Sequence, residues 1–189
     1  MSNFQKGLAL SDSELVEGEP KGFTLLELIV VIAVLGVLAT VLLVALNPIQ
    51  QFARGRDTGR ISAVTQLGRA MEAYAASRNG DYPDEGTTWI TDLVNAGEIS
   101  IVPAATTYSI AGISACTTNV QNGNCYDASA AAGTAPVVVY ARLEANANIS
   151  RCTAGQWAYT VFSSADGRAG VVCTAASGAP APGNQTFLQ

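Results

Sequence analysis

Residues Phe23–Leu46 read FTLLELIVVIAVLGVLATVLLVAL, 24 residues with a single charge, Glu27. As a helix rising about 1.5 Å per residue, this stretch spans a bilayer core of roughly 30 Å. A secretory signal peptide has a shorter apolar region with a small-residue cleavage site behind it. Here the run is longer, and Asn47-Pro48-Ile49-Gln50 offers no such site. A membrane-spanning helix is therefore the expectation, with Glu27 as its exception, because a carboxylate at bilayer depth is costly and normally faces a partner. Two readings stay open: Glu27 lies near enough to the interface to stay wet, or it pairs with a positive charge at its own depth. The segment encodes no Lys or Arg. A free α-amine on Phe23, made by cleavage after Gly22, would supply that charge.

Lys21-Gly22-Phe23-Thr24-Leu25-Leu26-Glu27, followed by the apolar run, resembles the prepilin peptidase site of type IV pilins and type II secretion pseudopilins. The resemblance implies that a leader ending at Gly22 is removed, that Phe23 is then N-methylated, and that Glu27 of one subunit pairs with the methylated amine of a neighbour. It also implies the partners: other copies of the chain, a prepilin peptidase, an inner-membrane assembly platform with its ATPase, and membrane lipid before assembly. Lys6 and Lys21 precede the segment while Arg54, Arg56 and Arg60 come after it, so the basic flanks slightly favour a cytoplasmic C-terminal part. The cysteines, below, favour export and decide the orientation: a single-pass precursor in the inner membrane with its C-terminal part outside, then a surface filament.

Beyond Pro48, the residues Ile61, Val64, Leu67, Gly68, Met71 and Tyr74 or Ala75 recur at three- and four-residue steps. Arg60, Gln66, Arg69 and Glu72 occupy other positions, which makes the pattern amphipathic. It predicts a helix from about Ile49 to Ser77, stopped at Asn79-Gly80 and continuous with the apolar segment as one long helix. Gly36, Gly55 and Gly59 weaken that helix by about 1 kcal/mol each relative to Ala, and Pro48 kinks it. For Gly36, close helix packing stands beside what the resemblance implies, a Gly36–Pro48 stretch that loses helical structure in an assembled filament. The arginines after the segment read as a solvated helix face, or as contacts to lipid headgroups or a neighbour's acids.

Asn79-Gly80-Asp81-Tyr82-Pro83 carries turn residues and also resembles the loop after the helix in many pilins and major pseudopilins. Thr91–Ala96 predicts a short helix with Thr91 as cap, stopped near Gly97. Strands are predicted at Thr107–Ala111, Val137–Leu143, Trp157–Ser163 and Gly170–Thr174, with Asp166-Gly167 as a hairpin turn. Asp127–Thr134 reads as a loop and Ala175–Gln189 as a flexible tail. The organisation expected is leader 1–22, apolar helix 23–46, amphipathic half-helix 47–78, globular head 79–174 and tail 175–189. The fold class is α+β, pilin-like by resemblance, a long N-terminal helix packed on a C-terminal antiparallel sheet.

The chain of 189 residues has no histidine, which removes Ser-His-Asp and Cys-His nucleophiles and His-ligated metals. A formal charge of −5 argues against direct nucleic-acid binding. Cys116, Cys125, Cys152 and Cys173 lack the close pairs of a zinc site and suit disulfides in an oxidising location. Four cysteines allow three pairings, of which the nearest-neighbour one, Cys116–Cys125 with Cys152–Cys173, is expected. Asp81, Asp84 and Glu85 have oxygen ligands for calcium, but the family's calcium loop is not recognisable and a solvated acidic loop is the favoured reading. Asn148-Ile149-Ser150 and Asn184-Gln185-Thr186 match the N-glycosylation pattern weakly. No phosphate loop or acid–base pair is visible, so the expected role is structural, with no enzyme activity, metal or cofactor. That role is a type IV pilus subunit polymerised through its apolar helix. The alternatives are a major-type pseudopilin of a secretion or competence system, and a membrane-anchored exported binding domain or enzyme.

Overall fold

The structure, a computed structural model, describes residues 22–129 and 136–189; the expected leader and most of the 127–134 loop lie outside them. The chain divides into two units at Leu46. The first holds helix α1 (Leu25–Leu46), continuous through Gly36, with none of its side chains buried. Among the described residues it is the one helix long and apolar enough to cross a membrane.

The second unit opens at Asn47, whose backbone is left-handed at φ 42° and ψ 75°. Helical geometry therefore stops at Leu46 and restarts in α2 (Pro48–Ser77), correcting the expected unbroken helix. Pro48 stands at the start of α2, where its missing N–H has no intrahelical partner to lose and its fixed φ suits the first turn. It starts a helix here rather than kinking one. At the other end the amides of Arg78 and Gly80 both return to the Ala75 carbonyl, at 3.0 and 2.8 Å. Asn79 and Gly80 come next at positive φ, 58° and 96°, which ends the helix.

α2 packs on a four-stranded antiparallel sheet in the order β1 (Cys125–Ala128), β2 (Val137–Arg142), β3 (Gln156–Ser163) and β4 (Arg168–Ala175). The β3–β4 turn has Gly167 at φ 62°. All six residues of β2 are buried, because both faces of the sheet are covered. On one face Tyr126, Val137, Val139, Ala141 and Phe162 meet Val64, Leu67, Ala70 and Met71 of α2, together with helix α3 (Trp89–Asn95). On the other, Val138, Tyr140, Tyr159, Val161 and Val172 meet the Cys116–Cys125 loop, with Trp157 and Phe187 at the margin. Gly68 is required at the first interface, since a Cβ there would collide with the Phe162 ring.

Several expectations are corrected. α3 begins at Trp89 and not Thr91, because Trp89, Ile90 and Leu93 all fill the core. Gln121 does the capping, its Oε1 accepting from the Ile90 amide at 2.7 Å. Thr107–Ala111 is not a strand: the amides of Ser109 and Ile110 donate to the Glu144 carboxylate instead of to a ladder. β1 takes its place as an edge strand, and a single helical turn, α4 (Asn146–Ile149), comes after β2. The tail is docked. The Leu188 amide donates to the Val171 carbonyl, the Gln185 amide donates to Asp166, and Phe187 bridges to Val172 under the Arg168 guanidinium.

Candidate processing and assembly site

Gly22 and Phe23 lie in exposed, non-helical chain just ahead of α1. A peptidase needs an accessible bond outside a helix, and this one meets both conditions. Thr24 then starts the helix: its Oγ1 accepts from the Glu27 amide at 3.2 Å and its carbonyl accepts from the Leu28 amide at 3.2 Å. Thr24-x-x-Glu27 thus has capping-box spacing, a signal carried by the sequence that the local reading missed. Glu27 is exposed in the first turn, where the partial positive charge of a helix N-terminus favours an acid. Among the described residues it takes part in no ion pair.

The head is tied to α2 by a second constellation that the sequence reading did not assemble. Glu144, just after β2, is fully buried and accepts from Arg56 Nε at 2.5 Å, Arg60 Nη2 at 3.0 Å, and the Ser109 and Ile110 amides at 2.9 and 3.2 Å. Asp57, also buried, accepts from Arg60 Nη1 at 2.6 Å, the Glu144 and Ala145 amides, and Asn148 Nδ2 at 2.8 Å. Arg60 also donates from Nη2 to the Thr107 carbonyl at 2.6 Å and lies over the Tyr108 ring at 4.0 Å. Burial pushes the Glu144 carboxyl up. The hydrogen bonds from Arg56, Ser109 and Arg60 outweigh it and hold the group at about 2, well below its usual range. Arg56 and Arg60 therefore do not form a solvated face or a lipid contact; Arg54 alone of the three is exposed. Asn148, in the first glycosylation pattern, has its amide engaged by Asp57, while Asn184 is exposed.

The four cysteines form Cys116–Cys125 and Cys152–Cys173, with Cα atoms 6.1 and 5.6 Å apart. The first closes the loop over the outer face of the sheet, and the second ties the segment after α4 to β4. Of the acids considered for calcium, Glu85 accepts from Asn119 Nδ2 and the Ala128 amide. It also abuts Asp127, whose carboxyl is pushed up to about 6 by burial and then by the Glu85 hydrogen bond and charge. Among the described residues no group of three or more His, Cys, Asp or Glu is placed to hold a metal ion.

No curated protein and no solved structure matches the chain. A family model does, the prokaryotic N-terminal methylation motif, over residues 20–43. That interval contains the exposed Gly22–Phe23 bond, the Thr24 cap, Glu27 and most of α1. The motif implies processing by a prepilin peptidase and assembly into pilus-like polymers, and with α1 it fits a precursor anchored in the inner membrane. In residues 20–43 the chain carries the signature of the type IV pilins and pseudopilins.

Proposed function

We propose that the chain is a structural subunit of a type IV pilus, cleaved between Gly22 and Phe23, N-methylated at Phe23, and polymerised through α1. The observation that carries this is α1 itself: 22 residues, charged only at Glu27, none buried, directly behind an exposed Gly-Phe bond. Such a surface is not stable in water. Lipid covers it in the precursor and the helices of other copies cover it in the filament. The contact is heterologous and does not close, so it propagates as a helical polymer. The methylated amine of Phe23 neutralises Glu27 of a neighbour, and insertion out of register strands a charge in a low-dielectric core. A membrane platform and its ATPase supply the work of extraction. The role is structural rather than enzymatic.

Two disulfides and a docked tail suit a head on the oxidising side of the membrane, a property shared by the surface pilus and by the runner-up, a major-type pseudopilin. Electron micrographs of cells with and without the gene test the choice. Long surface filaments that vanish on deletion are expected; filaments unaffected by deletion would move the chain to the pseudopilin class. Glu27→Ala separates both from an anchored binding domain, since polymer formation should fail while an anchored domain would be indifferent.

A further inference from the structure

The outer face of the sheet carries an open cavity of about 220 Å3 between the segment around Cys116 and the turn after β4. Trp157 and Tyr159 of β3 form its floor, and Ser114, Thr117, Ser177 and Ala179 form its rim. The four rim residues are exposed, so their side chains are open to an occupant. Drug-sized ligands fill pockets of roughly 300–1,000 Å3, and this smaller one takes a single ring. An aromatic floor with a hydroxyl-bearing rim complements a pyranose, which has an apolar C–H face and an edge of hydroxyls. The cavity is also free of acids in a chain whose formal charge is −5. No Asp or Glu occurs between Glu98 and Asp127, between Glu144 and Asp166, or from Gly167 to Gln189, and every lining residue falls in those stretches. Arg142, paired opposite Tyr159 in the sheet, supplies a positive charge there. Its guanidinium lies 3.6 Å from the centre of the Trp157 ring; the residue is 7% exposed and joins no ion pair among the described residues. Burial pushes the Tyr159 hydroxyl up, and Arg142 is the charge that opposes the rise. An uncompensated cation beside an aromatic floor favours an anionic occupant.

We propose that this cavity binds an acidic sugar unit, a uronate, with its C–H face against Trp157, its hydroxyls at the Ser114, Thr117 and Ser177 rim, and its carboxylate in the field of Arg142. The rim hydroxyls bond the sugar directly, whereas the arginine acts through its charge and not by contact. The guanidinium also holds the indole in place, so little order is lost on binding. The site is independent of the polymerisation reading.

The test titrates the full chain in detergent micelles with sodium galacturonate, galactose and sodium chloride at equal ionic strength, followed by tryptophan fluorescence. Trp89 is fully buried in the core of the head, so a binding signal reports on Trp157. Galacturonate should give a saturable change that chloride does not. Galactose, which lacks the carboxylate, should need about tenfold more ligand, the worth of one partly screened charge. Arg142→Gln should remove that difference and leave galactose binding in place. Ala179→Phe, on the exposed rim, fills the cavity and should abolish the response to both sugars. No saturable change with galacturonate, equal titration midpoints for galacturonate and galactose, or an unchanged galacturonate response in Ala179→Phe would overturn the proposal. Ala179→Phe and the comparison of the two sugars keep the test decisive if Arg142→Gln proves unstable.

Discussion

Glu144→Gln should be the most damaging near-isosteric change in the head. The side chain is fully buried and accepts four hydrogen bonds, two of them from guanidinium groups. Glutamine keeps the volume but places an NH2 donor against Arg or backbone donors and removes the charge that balances Arg56 and Arg60. Removing one partner from a buried ion pair typically costs about 3–5 kcal/mol. Arg60 retains Asp57, and Arg56 is 28% exposed and can turn to water, so the lower end, about 3 kcal/mol, is expected. The same contacts, expressed through the acidity of Glu144, give a figure of similar size. Lowering it from its ordinary 4.5 to about 2 corresponds to roughly 3 kcal/mol at about 1.4 kcal/mol per unit, and to roughly 2 kcal/mol once solvent screening at the Arg56 side is allowed for. A depressed carboxyl stabilises the fold above its unfolded pKa, and that stability is lost as pH falls through the folded one. The gap between parent and Glu144→Gln should therefore be full near neutrality and close between about pH 4.5 and 2. Urea unfolding of the full chain in micelles measures it, because both tryptophans, Trp89 and Trp157, lie in the head. A loss under about 1 kcal/mol at neutral pH, or a gap that does not narrow in acid, would refute the reasoning.

Three further outcomes are expected from the packing and the charges. Gly68→Val drives a side chain into the Phe162 ring, and overpacking of this kind should cost about 1–3 kcal/mol in urea unfolding; a neutral result would mean that α2 can lift off β3 freely. The paired change Cys152→Ser with Cys173→Ser opens a link spanning 21 residues, for which chain entropy predicts a loss of about 3 kcal/mol, again read by urea titration; unchanged stability would make the bridge redundant with the docked tail. Asp127 is raised in the folded head to about 6, so its contribution is most favourable below its unfolded pKa and declines as pH rises through the folded one. Asp127→Asn should flatten that part of the melting-point profile and raise the midpoint near neutrality; a profile identical to the parent would remove the Glu85–Asp127 contact.

Legibility in the sequence extended to whatever depended on local pattern. The charge-poor run after Gly22 marked α1, the three- and four-residue apolar steps marked α2, and β-branched and aromatic runs marked β2, β3 and β4. The errors fell where distant partners override local preference. Thr107–Ala111 has strand-like composition, but its amides are claimed by Glu144, more than 30 residues away along the chain. β1 (CYDA) is short and carries Asp127 and Ala128, which are poor strand formers. The tail is rich in Gly, Pro and Ala, yet Phe187 and Leu188 dock it on β4.

The buried charges had a signal in the local pattern too. Running the stripe of Val64, Leu67 and Met71 backwards at the same spacing lands on Arg60, Asp57 and Ala53, all buried. Ile61, the first residue of the expected stripe, is exposed. A charged pair at i and i+3 on the apolar phase of a helix predicts a buried ion pair; its third member, Glu144, lies beyond any local pattern. Thr24 was similarly visible as the first residue of a capping box in front of Glu27.

The central claim is that the chain is cut at Gly22 and polymerises through α1. The most direct measurement is the intact mass, with N-terminal fragmentation, of the protein sheared from the surface of its native cells. A chain beginning at N-methylated Phe23 is the predicted result. A chain that retains Met1–Gly22, or one recovered only from the membrane, would contradict it.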